Sequence, residues 1–139
     1  MDKKSLILIA VVICSALTMA AVSLAQEKEL VQIKNKAGIG NYLADSQGKT
    51  LYYFTKDTPG NSACTGDCKQ KWQIYCYQTD GITPGPGLKA SDFTWFQWAD
   101  GSTEHLMYKG KPLYRFAGDE TPGDTNGDGV KGVWFIVKP

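Results

Sequence analysis

Few side chains in this sequence have both the type and the spacing that chemistry requires, and the best candidates lie in one loop. Asp124, Asn126 and Asp128, followed by a glycine, have the alternating oxygen spacing of a calcium-binding loop. Such a loop also needs a bidentate Glu at its last position, where Phe135 stands here. The pattern therefore predicts a calcium site or, as the alternative, a tight polar turn.

The only histidine of the chain is His105. One histidine excludes a three-His zinc site, a two-His blue-copper site and a bis-His haem. A shared metal site of Cys76, His105 and Met107 requires that the fold bring them together, and the simpler prediction for His105 is an exposed strand residue. The chain also lacks the Gly-x-Ser-x-Gly elbow of hydrolases, a glycine loop that cradles phosphate, and a glycosidase-like carboxylate pair. We therefore predict a protein that is not an enzyme and that holds no cofactor, calcium excepted.

The beginning of the chain has the layout of a secretory signal peptide spanning residues 1–25. Two lysines precede a long apolar run, and small residues favour cleavage after Ala25. The alternatives are a retained membrane anchor and a lipid attached to Cys14, but Ile13 is a poor residue to precede a lipidated cysteine. Residues 26–139 are therefore predicted to form one secreted domain, periplasmic, cell-surface or extracellular, with no membrane insertion after cleavage.

The charge balance excludes some partners. The leader removes two lysines and one aspartate from the 15 basic and 14 acidic side chains, which leaves a mature chain of zero formal charge. A neutral chain has no electrostatic footprint for nucleic acid or for an anionic membrane. It also repels copies of itself only weakly, which permits self-association.

Three cysteines remain in the mature chain, namely Cys64, Cys68 and Cys76. In the oxidising compartment that export implies, two of them pair and one is left over. Cys64 and Cys68 enclose a short turn-forming loop, so their pairing is favoured, although spacing alone leaves the other pairings open. Cys76 is then either a small buried side chain or the thiol of an intermolecular disulfide. The spacing of the favoured pair is not the Cys-x-x-Cys of thiol oxidoreductases.

An internal repeat organises the mature chain. Residues 48–57 match residues 110–119 at a constant offset of 62, and two tryptophans keep that offset. Strand alternation places the Tyr and Phe of each copy on one face, which is the predicted core face, with the hydroxyls at the rim or hydrogen-bonded. The repeated residues are Tyr52, Phe54, Asp57 and Trp72 in the first copy, and Tyr114, Phe116, Asp119 and Trp134 in the second.

Strand and turn signals predict an all-β domain. Gly48 and Gly110 supply the positive φ of two hairpin turns, each of which leads into a repeated aromatic strand. One helical turn is predicted beside the Cys loop, with Asp67 as its cap. We predict a small antiparallel sheet domain of two β-meander units with a return strand, at about residues 38–78 and 93–139, linked by residues 79–92. The other predicted strands cover residues 30–33, 41–44, 93–98, 103–108 and 133–137.

One predicted strand has apolar side chains on both faces. Phe93 and Trp95 alternate with Phe96 and Trp98 along it. Either this strand is buried on both sides, or one side meets a partner.

The repeated Tyr-x-Phe-x-x-Asp motif resembles that of a bacterial secreted-repeat family, described as predicted lipoproteins with a Tyr-x-(Phe/Trp/Tyr)-x-x-Asp motif. Further matches are residues 63–68 leading to Trp72, and residues 100–102, 122–127 and 132–135. The resemblance extends from about residue 38 to residue 139 and implies export, but it implies no mechanism. The chain departs from the family in two respects. It lacks a good lipidation site, and it carries Cys76 after a segment where the family often has a Pro pair.

These observations predict an exported, non-catalytic binding or assembly protein of the cell envelope or exterior, acting through an unknown protein partner or through self-association. The alternatives are a calcium- or metal-dependent binding module and an accessory protein of extracellular electron transfer. The loops that follow the two repeated strands differ, one carrying the cysteines and the other the Asp/Asn/Gly run. Function-specific sites are therefore expected in those two loops.

Overall fold

The computed structural model describes residues 31–76, 82–98, 101 and 104–139. Within them the protein is all-β, with one short helix, α1, at Cys68–Lys71 and 3-10 turns at Ala90–Asp92 and Val130–Gly132. No helix in these residues is long and apolar enough to cross a membrane. The predicted signal peptide lies outside the described residues and stays a prediction. The strands are β1 (Val31–Lys36), β2 (Gly40–Asp45), β3 (Tyr52–Phe54), β4 (Trp72–Ile74), β5 (Phe93–Gln97), β6 (Glu104–Tyr108), β7 (Lys111–Pro112), β8 (Tyr114–Phe116) and β9 (Trp134–Ile136).

Two tight turns introduce the repeated strands, as predicted. In the first, the Asp45 side chain accepts hydrogen bonds from the backbone N–H groups of Gln47 and Lys49, and Gly48 has a φ of 83°. In the second, Lys109 and Gly110 both have positive φ, at 48° and 79°. Consecutive positive φ values in the second turn match the right-handed twist of the flanking strands, and the first turn is held by the Asp45 side chain and by Gly48, so both turns are set by local sequence.

The central four-stranded sheet has the order β4-β8-β3-β9, so strands of the first and second repeats alternate across it. At its centre Tyr52 pairs with Tyr114, the equivalent residue, in antiparallel register. A pseudo-twofold axis therefore passes between β3 and β8. The predicted antiparallel meander is present as β5-β6-β7. The sequence did not indicate where the return strands pair, and in the structure β9 pairs with β3 and β4 pairs with β8. Each return strand joins the other repeat, where its tryptophan reaches the aromatic rings described below.

Two hydrophobic clusters form the core on either side of the repeated strands. Tyr52 and Tyr114 lie in one cluster, and Leu51 and Leu113, which directly precede β3 and β8, are fully buried in the other. Within the strands the face opposite to the tyrosines is less buried, since Tyr53 is half-buried. The Tyr/Phe face is therefore a core face, as predicted, because both tyrosines are fully buried and both phenylalanines pack against the same cluster. The two-stranded sheet β1-β2 and the three-stranded sheet β5-β6-β7 contribute residues to the cluster around the leucines, which explains why these leucines are buried.

One face of the aromatic strand β5 is only partly covered by the rest of the protein. Phe93 is buried and packs on Tyr108 at 4.9 Å between ring centroids, but Trp95, on the same face, is 51% exposed. Phe96 and Trp98 on the other face are half-buried. The alternative that β5 is buried on both sides is therefore wrong, because the Trp95 side chain is exposed.

Candidate functional site

The two motif tyrosines are bonded to the motif aspartates of the opposite repeats. The Tyr52 hydroxyl donates to Asp119 at 2.6 Å, and the Tyr114 hydroxyl donates to Asp57 at 2.6 Å. The second oxygen of each carboxylate accepts a backbone N–H from its own repeat, from Ala63 at 2.6 Å and from Asn126 at 2.8 Å. The motif therefore joins the two repeats to each other and orders the loop that follows each strand.

The chemistry of these groups is that of a satisfied polar network. Burial raises the pKa of both tyrosines far above the ordinary value, and their hydrogen bonds to the aspartates raise it further. Burial also raises the pKa of Asp57, against the lowering effect of its hydrogen bonds from Tyr114 and Ala63. Both tyrosine hydroxyls therefore act as hydrogen-bond donors that join the two repeats.

The four remaining aromatic residues of the repeats form one continuous stack. The rings of Trp72 and Trp134 lie 3.8 Å apart between centroids and are parallel within 3°. Phe116 stacks on Trp72 at 4.4 Å, and Phe54 stacks on Trp134 at 4.2 Å. Each tryptophan thus stacks on the phenylalanine of the other repeat. Both faces of each indole are covered, so any indole atoms left accessible belong to ring edges.

A groove of about 440 Å³ runs over this stack. The short helix α1 forms one wall, and the 3-10 turn at Val130–Gly132 forms the other. These two turns are equivalent in the repeat at the offset of 62, so the groove crosses the pseudo-twofold axis. Its lining residues are Phe54, Lys56, Asp67, Cys68, Lys71, Trp72, Phe116, Val130, Lys131, Val133 and Trp134.

Three lysines and one aspartate surround the groove, and all four are exposed. Within the described part of the chain, the one ion pair at contact distance joins Arg115 to Asp45, so the lysines have no ionic partner. Lys131 has a φ of 52°, in the left-handed region that non-glycine residues rarely adopt. The groove therefore combines apolar ring edges with unneutralised positive charge.

The predicted Cys64–Cys68 disulfide is present, and Cys68 lines the groove. Asp67 occupies the N-cap position directly before α1, as predicted, but its side chain makes no cap hydrogen bond. Asp67 is instead among the residues that line the groove. The disulfide therefore holds one wall of the groove to the core, because Cys64 is fully buried.

Cys76 is a free, exposed cysteine, so the alternative of a buried side chain is wrong. Partial desolvation still raises the pKa of the Cys76 thiol, and the nearby Arg115 lowers it less. A raised pKa disfavours the thiolate, the reactive form of cysteine. The intermolecular disulfide stays a prediction.

The Asp/Asn loop uses its side chains to hold its own backbone. The Asp124 carboxylate accepts from the N–H groups of Glu120 and Thr121, and Asp128 accepts from the N–H of Ile136. Asn126 donates its side-chain amide to the Gly118 carbonyl. The calcium hypothesis stays a prediction, which a change of melting temperature in millimolar calcium would test.

His105 is fully buried, so the prediction of an exposed strand residue is wrong. Its Nε2 is 2.8 Å from the Leu113 carbonyl, and the Tyr114 ring stands edge-on at 4.9 Å. Burial lowers the pKa of His105 to about 4, with a further lowering from Lys69. Cys76 is its backbone bridge partner, but the Met107 sulfur accepts the Gly60 N–H. Within the residues that the structure describes, no three His, Cys, Asp or Glu side chains form a metal-binding group.

Sequence reasoning identified the aromatic residues of the groove but not its lysines. Lys56 follows the first repeated strand, Lys71 ends α1, and Lys131 lies in the equivalent turn of the second repeat. The sequence does contain a pattern that could have indicated these lysines, because all three lie within a few residues of a repeated aromatic position. Their meeting at one groove depends on the alternation of the strands, which no local pattern indicates.

The fold and the motif define a class of protein in which two copies of one unit interleave their strands in a single sheet. A family model described as a secreted repeat of unknown function matches residues 36–75 and 99–138, which together are more than half of the chain. The chain belongs to this family and is a secreted protein. Comparison with curated proteins and with solved structures found no match.

Proposed function

We propose that this secreted protein is a non-catalytic binding protein whose ligand site is the groove between the two repeats. The observation that carries the proposal is the position of the groove over a continuous four-ring stack to which both repeats contribute. Its volume of about 440 Å³ lies in the range of small-molecule sites, which are mostly apolar with few polar groups.

The absence of catalysis is part of the proposal and rests on the state of the reactive groups. His105 is buried, with Nε2 directed at a backbone carbonyl. The Cys76 thiol has a raised pKa and does not line the groove. The acidic side chain at the groove, Asp67, is exposed, so nothing there supplies the buried acid or base that hydrolysis needs.

A test of the groove follows the indole N–H resonances of Trp72 and Trp134 in the mature protein. Fractions of the host's exterior medium and envelope extract are added to the wild type and to Val133→Tyr, which fills the groove. Thr94→Tyr, on an exposed position of β5, is the matched control. We expect a fraction that shifts both indole signals in the wild type and the control but not in the filled variant. Shifts that survive the filling, or no shift with any fraction, would contradict the proposal.

Assembly is the second candidate, and the exposed position of Cys76 favours it. Analytical ultracentrifugation with and without reductant tests it, with Cys76→Ser as the control. A dimer that reductant and the substitution both abolish supports assembly, whereas a strict monomer in all three samples contradicts it. The electron-transfer alternative predicts a coloured or metal-containing protein when it is purified from its native host.

A further inference from the structure

From the charge and ring geometry of the groove, we infer that its ligand is a small anion with a flat, apolar body, of which an aromatic sulfonate or carboxylate is the type. This inference rests on the proposed function and adds the chemical class of the ligand. Lys56, Lys71 and Lys131 line the groove against a single carboxylate, that of Asp67. The lining therefore has an excess of positive charge although the mature chain as a whole is neutral.

The aromatic part of the groove favours an anion as well. Both faces of Trp72 and Trp134 are covered within the stack, so their accessible atoms are ring edges. Aromatic edges carry partial positive charge, whereas the faces carry the negative part of the quadrupole. A cation would meet the partly positive edges of the two indoles and be repelled. An anion close to an indole edge is attracted both by that edge and by the lysines.

The lysines are available to a ligand. All three are exposed, and within the described residues none has an ionic partner. Lys131 is held in the left-handed conformation between Gly129 and Gly132, which have φ values of 79° and 67°. A non-glycine residue in this conformation costs backbone energy, and such residues cluster at ligand sites. Their placement on both walls of the groove suits a negative group held above an apolar floor.

The apolar body follows from the floor and from the size of the groove. Val130 and Val133 add aliphatic surface beside the four rings, and the groove is lined by more apolar than polar atoms. Its volume of about 440 Å³ accommodates two or three fused rings but not a folded partner. A flat ligand can lie along the ring edges while its charge reaches the lysines on either wall.

The test compares two dyes with the same rings. 1-Anilinonaphthalene-8-sulfonate is anionic, and N-phenyl-1-naphthylamine is the neutral molecule without the sulfonate. Binding of each dye to the mature protein is measured by calorimetry. The indole N–H resonances of Trp72 and Trp134 report whether the dye binds in the groove. We expect the anion to bind at least about tenfold more tightly than the neutral dye, with the advantage falling at high salt.

Charge-reversal variants separate the lysines from the overall charge. Lys71→Glu and Lys131→Glu should each lower the affinity for the anionic dye by about fivefold and leave the affinity for the neutral dye unchanged. Lys34→Glu, on the exposed side of β1 and outside the groove, makes the same change of net charge and should alter neither affinity. Near-UV circular dichroism and the melting temperature confirm that each variant is folded.

The outcomes distinguish this inference from the proposed function. Equal affinities for the two dyes, unaffected by the groove variants, overturn the inference while the groove remains a binding site. Dyes and host fractions that all leave the indole signals unchanged overturn both. Indole signals that shift with protein concentration alone, together with a dimer that Lys131→Glu abolishes, overturn the inference in favour of a second copy as the occupant.

Discussion

The hydroxyl of Tyr52 donates a hydrogen bond to Asp119, 67 residues further along the chain and in the other repeat, at a distance of 2.6 Å. The equivalent bond from Tyr114 to Asp57 has the same length. The repeated motif is therefore completed only between repeats, and neither copy satisfies its own aspartate through its own tyrosine. This relationship explains why the strands alternate in the sheet instead of forming two separate units.

Removal of either tyrosine hydroxyl should destabilise the whole domain. Tyr52→Phe leaves the buried Asp119 carboxylate without one partner, which costs about 1–3 kcal/mol of unfolding free energy. Tyr114→Phe should cost a similar amount. Urea unfolding followed by far-UV circular dichroism measures both, and a single transition is expected because the repeats share one sheet.

The control for these variants is Tyr53→Phe, whose ring packs on Phe135 at 6.0 Å between centroids and is half-buried. Tyr53→Phe should lower the free energy of unfolding by less than Tyr52→Phe or Tyr114→Phe does. Equal costs for all three variants, or two separate unfolding transitions, would be inconsistent with the role of the cross-repeat bonds.

Gly127 should tolerate no side chain. A Cβ at this position would lie 2.8 Å from the Trp72 ring and 2.9 Å from the Tyr52 ring, both of which are buried in the core. Gly127→Ala should therefore lower stability by about 1–3 kcal/mol through overpacking. Gly38→Ala, in open space with a φ of 80°, measures backbone strain alone and serves as the comparison. A cost at Gly127 no larger than that at Gly38 would show that the stack can move aside.

Acid should destabilise the protein through His105. Burial lowers the pKa of His105 to about 4 from the ordinary 6.5, so the unfolded chain takes up this proton more readily than the folded one. The stabilising effect of the neutral imidazole is complete above pH 6.5 and is lost as the pH falls towards 4. The loss is on the order of 3 kcal/mol.

The measurement is urea unfolding between pH 7 and pH 4, for the wild type and for His105→Gln. Asp57 acts in the opposite sense, because its raised pKa lets the folded chain bind a proton first as the pH falls. The difference between the two proteins isolates His105, since the aspartate is common to both. Parallel pH profiles for the two proteins would refute the assignment.

The disulfide should stabilise the fold by closing a small loop. The Cys64–Cys68 bond spans four residues in sequence, and replacing both cysteines by alanine should cost about 2 kcal/mol. Reductant added to the wild type should lower its melting temperature and leave the double variant unchanged. Cys76→Ser, at an exposed position, should have little effect on the stability of the monomer. If reductant leaves the melting temperature of the wild type unchanged, the disulfide does not contribute to stability.

Local sequence was sufficient for the features that neighbouring residues determine. The turns at Gly48 and Gly110, the short helix after Asp67 and the aromatic strands all follow from residues close in the chain. The partner of each strand could not be predicted in this way. The two repeats offer chemically similar strands, and the choice between them depends on packing that exists only in the folded sheet.

The same limit applies to the burial of His105. Strand alternation and the polar character of histidine favour exposure, but the Leu113 carbonyl and the aromatic rings around it supply a hydrogen bond and a cover. The groove was predictable only in part. Its aromatic residues repeat in the sequence, whereas its charge arises because turns from different repeats meet on opposite sides of the stack.

The antiparallel pairing of Tyr52 with Tyr114 has a consequence for ancestry. Two identical half-length chains, arranged about a twofold axis at this point, would make the same tyrosine–aspartate bonds and the same ring stack between subunits. The present protein is what gene duplication and fusion of such a homodimer would produce. In such a fused chain the two halves are free to differ, and in this protein they differ in the cysteine loop and in the Asp/Asn loop.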